Sequence, residues 1–169
     1  VDGQLIYPAT NFRSWEIVDS SATSISFILH YPAWDVNGVE VALDKKITVE
    51  SGSYFCKAED CYTGDFDFLV VAAGVFTHNG WEECYTDGDR LAIWEEASDT
   101  SVEPEDGRIG VAVYMPGAES VGVLETERPH LIATKTIVSG ETLCYWFGSC
   151  WSKGEIEEPG SWFELVKNL

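Results

Sequence analysis

Apolar and polar positions alternate through much of this chain at a period of two. Within residues 22–31, Ile25, Phe27, Leu29 and Tyr31 alternate with Ser24, Ser26, Ile28 and His30, which predicts a strand with an inner and an outer face. Two runs are apolar on both faces. In residues 143–151, Leu143, Tyr145, Phe147 and Trp151 take one face and Cys144, Trp146 and Cys150 the other, so a central strand is predicted, with Gly148 as a bend. Residues 66–76 form the second such run and predict a second buried strand.

Turn chemistry divides the rest. Asn37-Gly38 between apolar runs predicts a tight hairpin leading into a return strand over 39–50, and Pro32, which lacks an amide donor, is expected to end the strand before it. Ser51-Gly52-Ser53 and Thr63-Gly64-Asp65 bracket a strand over 54–62, whose Lys57, Glu59 and Asp60 read as a wet edge. Residues 78–88 mix aromatics and carboxylates and read as a functional loop. Further strands are predicted over 14–19, 90–95, 108–115, 121–125 and 130–137. The helical pattern is confined to the end, where Ser161-Trp162-Phe163-Glu164 matches a capping box and Trp162, Leu165, Val166 and Leu169 share a face. The expectation is an all-β, antiparallel β-sandwich with one short C-terminal α-helix, in a single domain spanning 1–169.

Composition supports a real core and narrows the partners. The chain has 169 residues, 45% hydrophobic, and a net charge of −19, which argues against nucleic acid and anionic membranes. No apolar run is long enough to span a bilayer as a helix. A start at Val1-Asp2 is compatible with a cleaved leader. Cys56, Cys61, Cys84, Cys144 and Cys150 have no zinc-like spacing; a Cys61–Cys84 bridge and buried free thiols both stand as readings.

No phosphate loop, dinucleotide turn or nucleophile elbow is present. His30 reads as a strand residue, whereas His78 and His130, at strand margins, are the candidates for acid–base work. Asp65-Phe66-Asp67 and Asp87-Gly88-Asp89 resemble pieces of calcium loops without the full pattern, so no cofactor is expected and calcium is the one metal left open. Seven tryptophans supply a sugar-stacking platform, with Trp81, Trp94, Trp146 and Trp151 as ligand-binding candidates and at least three of the seven expected in the core. With ten basic residues among 29 acids, binding of a neutral sugar ranks above catalysis on an acidic polymer.

The segments Ile28-Leu29-His30-Tyr31-Pro32-Ala33-Trp34-Asp35-Val36-Asn37-Gly38, Lys46-Ile47-Thr48-Val49-Glu50-Ser51-Gly52-Ser53 and Tyr145-Trp146-Phe147-Gly148-Ser149-Cys150-Trp151-Ser152-Lys153 resemble the C-terminal half of a bacterial family, domain of unknown function 4861. That resemblance implies a galactose-mutarotase-like supersandwich and an extracytoplasmic, secreted or periplasmic role on carbohydrate, in the company of pectin and uronic-acid sugar degradation. The alternatives are a polysaccharide lyase or hydrolase and a self-assembling structural subunit. For assembly, an exposed sheet edge or residues 1–8, with Leu5-Ile6-Tyr7, would add a strand to a neighbouring chain.

Overall fold

The computed structural model describes residues 5–77, 81, 83–97, 106–126 and 129–169. The strands are β1 (Ser14–Ser20), β2 (Ser24–Val36), β3 (Val39–Glu50), β4 (Phe55–Gly64), β5 (Leu69–Phe76), β6 (Glu83–Asp87), β7 (Arg90–Glu96), β8 (Arg108–Tyr114), β9 (Ser120–Leu124), β10 (His130–Ile137) and β11 (Thr142–Trp151). One helix follows, α1 (Pro159–Lys167). An eight-stranded sheet runs β1-β2-β3-β4-β11-β8-β7-β6 and a three-stranded one β5-β10-β9. The fold is all-β and antiparallel with a short C-terminal helix, as the alternation predicts. The chain clusters into two compact units, residues 1–71 with 136–145 and residues 72–135 with 146–169.

In the first unit, β2 and β3 form the hairpin expected from Asn37-Gly38. Val36 pairs with Val39, and both turn residues take positive φ, the conformation that a two-residue turn matching the strand twist requires. Asp35 stabilises the turn by accepting the Gly38 amide at 3.0 Å. Pro32 does not end β2. The register shifts between Tyr31 and Trp34, so a bulge accommodates the missing amide donor and pairing resumes at Trp34 with Val41. Trp34, Val41 and Leu43 form a buried cluster, packed by Tyr31, Val36, Val39, Tyr62, Phe66 and Leu69.

In the second unit, β6, β7 and β8 pair successively, and β8 continues onto residues 146–151 of β11. Leu91, Ala92, Ile93, Ala112 and Val113 are buried among them. Helix α1 docks on β6, β7 and β8 through the fully buried Trp162 and Val166. A close approach makes room for it: a Cβ on Gly110 would lie 2.7 Å from both Trp162 Cδ1 and Cys150 Sγ. The capping box is not formed. Glu158 is the N-cap and makes no side-chain cap bond, and Pro159 begins the helix, so Ser161 lies inside it. Proline's fixed φ and absent donor suit the first helical position, which moves the N-cap three residues earlier, from Ser161 to Glu158.

Two further expectations change. The run over 66–76 is not a buried central strand: β5 begins at Leu69 and lies at the end of the three-stranded order, with Val71 and Val75 buried and Val70 and Phe76 exposed. Small residues at Ala72, Ala73 and Gly74 give an apolar run without large side chains to bury on both faces. The stretch 78–88 is strand from Glu83 to Asp87, because Asp87 pairs with Arg90 across a Gly88-Asp89 turn in which Gly88 has φ +57°. Residues 78–80 and 82 lie outside the described residues.

Candidate functional site

The four tryptophan candidates occupy different environments. Trp94 is 4% exposed and belongs to the core, with no free face for a ring to stack on. Trp81 is half-buried. Trp146 stacks on Tyr114 with ring centroids 5.4 Å apart, and the Arg90 guanidinium lies 4.1 Å from the Tyr114 ring on the other side. The register explains this row, since Arg90 pairs with Tyr114 and Tyr114 with Trp146, which places all three on one face of adjacent strands. Asp89 holds Arg90 by an ion pair at 2.6 Å.

Trp151 lies five residues beyond Trp146 on an unbroken register, so the two point to opposite faces of β11. Its indole is 50% exposed, yet its Nε1–H donates to the Asp106 carbonyl at 2.7 Å, and Lys153 Nζ stands 5.6 Å from the ring. An exposed aromatic surface is thereby held in one orientation.

His78 lies outside the described residues. His130 is half-buried, with Nδ1 3.2 Å from Thr126 Oγ1 and its ring 6.0 Å from that of Phe76. His30 lies between two carboxylates, with Nδ1 2.7 Å from Asp44 and Nε2 3.6 Å from Glu16. The hydrogen bond to Asp44 leads the causes that raise its pKa, and the charges of Asp44 and Glu16 add to it.

A polar cluster in the first unit was not anticipated from the sequence. Lys45 Nζ lies 2.9 Å from Asp60 Oδ2 and donates to Tyr145 Oη at 2.6 Å. Tyr145 and Tyr62 donate longer bonds to the same Oδ2, at 3.4 and 3.5 Å. Asp60 is 1% exposed, so it does not belong to a wet edge with Lys57 and Glu59. Its Oδ1 is buried with no hydrogen-bond partner among the described residues. Burial pushes the Asp60 carboxyl up against the pull of Lys45. At Lys45, burial acts downward but is outweighed by Tyr145 and Asp60, which hold the ammonium above its usual range. These shifts act in opposite senses on the ion pair. With three donors converging on Oδ2, the ionised pair is the state near neutrality. Burial also raises the phenols of Tyr62 and Tyr145, so both remain protonated donors. The signal was present in the phase of the strands: Lys45 falls in line with Val41, Leu43 and Ile47, and Asp60 with Ala58 and Tyr62.

All five cysteines are free, including Cys61 and Cys84. Burial pushes the Cys150 thiol up to about 11, so it is an unreactive core residue. At the Asp87-Gly88-Asp89 turn, Asp87 accepts the Tyr85 hydroxyl and Asp89 the Gly117 amide. No group of three or more metal-ligating side chains occurs among the described residues.

The model of the family described as "Domain of unknown function (DUF4861)" matches residues 1–169. This chain belongs to that family. Among curated relatives, "Uncharacterized protein P7" of Formosa agariphila is 23% identical over an alignment covering 96% of this chain and 41% of the relative. A solved structure described as "Putative kojibiose phosphorylase from human microbiome" superposes with a TM-score of 0.56 at 8% identity, over 86% of this chain and 20% of that one. The likeness is one of fold. The chain therefore spans less than half of the curated relative and a fifth of the structural one.

Proposed function

We propose that this DUF4861 chain binds carbohydrate, with Trp151 as the principal stacking platform and the Arg90–Tyr114–Trp146 row as a second aromatic surface. The observation that carries this reading is the exposed Trp151 indole fixed by its bond to the Asp106 carbonyl. Sugar rings present apolar C–H faces that gain from burial on indole, and an indole already held in place loses little freedom on binding. The fold it shares with a protein named as a sugar phosphorylase is compatible with that role.

A neutral or weakly charged oligosaccharide fits better than a polyuronide, in a plant or bacterial polysaccharide fragment. Neutralising a substrate carboxylate needs uncommitted cations. Here Lys45, Lys46, Lys57, Arg90, Arg108 and Lys167 each face a carboxylate of the chain itself. Lyase or hydrolase activity on an acidic polymer ranks below binding for that reason. The test is calorimetric titration of gluco-, xylo-, manno- and galacto-hexaoses into the wild-type chain and Trp151→Ala. A loss of binding of about tenfold or more in the variant is expected from removal of one aromatic contact; equal affinities would remove Trp151 from the site.

The sugar role carries with it a secreted or periplasmic location. Five unbridged thiols weigh the other way, because oxidising compartments tend to pair cysteines. Cell fractionation of the native host decides between them.

A second reading, self-association, has its own observation. β1 ends the eight-stranded order and all seven of its residues are exposed, as are Ile6 and Tyr7 in the segment before it. An unpaired strand edge of this kind templates a further strand. Light scattering over a concentration series, with Val18→Pro to block the edge, tests it: a mass that stays monomeric throughout removes the reading.

A further inference from the structure

The cross-strand register of the first unit aligns four side chains in one row. Trp15 of β1 pairs with Leu29 of β2, Leu29 with Lys45 of β3, and Lys45 with Asp60 of β4. Directly opposed residues on paired strands project to the same face, so the row runs from an exposed indole to the buried cluster described above. Trp15 is 61% exposed, Leu29 half-buried and Asp60 fully buried. Ile17, exposed on the same face as Trp15, widens the apolar end.

Lys45 is more accessible than the carboxylate it pairs with. Its side chain is 22% exposed, whereas the Asp60 side chain is 2% exposed. An ammonium has three N–H donors. Two are directed at Asp60 Oδ2 and Tyr145 Oη, which leaves one without an assigned acceptor among the described residues. The row thus leads from an exposed apolar edge at Trp15, across Leu29, to a fixed donor whose charge is already matched by Asp60. That combination suits a pyranose, which has an apolar face and hydroxyl oxygens at its rim and carries no charge of its own. An apolar protein surface laid over the same row would leave the remaining Lys45 N–H without an acceptor, at a desolvation cost.

We propose that the Trp15–Leu29–Lys45 row is a second saccharide subsite, which stacks one ring of a neutral oligosaccharide on Trp15 and donates from Lys45, two strands away, to an oxygen of a neighbouring ring. It rests on the carbohydrate-binding reading but uses residues separate from Trp151. Trp15→Ala is the first variant, since a largely exposed side chain is removed without opening the core. Trp15→Phe keeps an aromatic surface, and Lys45→Gln with Asp60→Asn removes the charges together while leaving polar groups in place. Each is titrated with the same hexaoses beside Trp151→Ala.

The wild-type chain is expected to bind two equivalents of one of these hexaoses. Trp15→Ala and Trp151→Ala should each remove one, with an affinity loss of about tenfold at the affected subsite, and Trp15→Phe should retain most of the binding. Binding that Trp151→Ala abolishes and Trp15→Ala leaves untouched would overturn this subsite while the proposed function stood. Binding lost in Trp15→Ala and unchanged in Trp151→Ala would support the row and sink Trp151. If no hexaose binds the wild-type chain, both fall. A concentration-dependent dimer that Trp15→Ala returns to monomer would assign the row to a second copy of the chain and overturn the subsite.

Discussion

Lys45 sits directly across the β3–β4 pair from Asp60, with its ammonium 2.9 Å from Oδ2. Two charges withdrawn from water persist only as a pair, so removing one is far costlier than replacing both. Lys45→Met should lose about 3–5 kcal/mol of stability by leaving the Asp60 carboxylate uncompensated. Lys45→Met with Asp60→Leu should regain most of it. Urea unfolding of both variants decides the matter, and a single variant as stable as the parent would show that the pair does not hold β3 against β4.

His30 gives a pH dependence of definite sign. Its folded pKa is raised from 6.5, with the hydrogen bond to Asp44 as the leading cause and Glu16 adding to it. A group whose pKa rises on folding binds its proton more tightly in the native state. Its contribution is therefore full below the unfolded pKa of about 6.5 and is lost as pH climbs through the higher folded value. The difference in melting temperature between the wild type and His30→Gln should be largest at acidic pH and shrink toward the alkaline side. A difference that grew with pH would show that the neutral imidazole is the stabilising form.

At Gly110 helix and sheet approach closely. An alanine Cβ would meet Trp162 and Cys150 at 2.7 Å, and both are buried side chains without room to retreat. Gly110→Ala should cost about 1–3 kcal/mol, as overpacked cores do. Pairing it with Trp162→Phe, which frees space at the same point, should recover part of the loss. Thermal unfolding of the single and double variants tests this, and an unchanged single variant would place α1 farther from β8 than the structure has it.

The elements that the sequence predicts well are those fixed by local chemistry. Asn37-Gly38 can do little except turn, and the alternation around it carries the β2–β3 hairpin. β10 is found over the predicted residues, His130–Ile137. Failures arise where a local signal is overruled by position in the sheet. Pro32 signals a stop, but a bulge absorbs it; the apolar run at 66–76 signals burial, but β5 has a neighbour on one side of its sheet alone. Among the tryptophan candidates, aromatic type put Trp151, Trp146 and Trp94 forward together and could not tell the exposed Trp151 from the buried Trp94. Trp15 and the Lys45–Asp60 pair were missed because their meaning lies in register, which joins residues far apart in sequence.

Amide exchange should rank the strands in the same order as their hydrogen-bonded neighbours. β8 lies between β7 and β11, so its amides on both sides enter ladders, and Gly110, Ala112 and Val113 are buried. β5 ends the three-stranded order, so its amides that point away from β10 face no neighbouring strand of that sheet among the described residues. Exchange from a strand of the first kind requires opening of the surrounding core, whereas an edge strand frays locally at much lower free energy. Residues 109–113 should therefore be among the slowest amides in the chain, and alternate amides of residues 69–76 should exchange faster by about two orders of magnitude, a difference of roughly 3 kcal/mol in opening free energy. Equal protection along the whole of β5 would mean that a further strand, from this chain or another, covers that edge in solution.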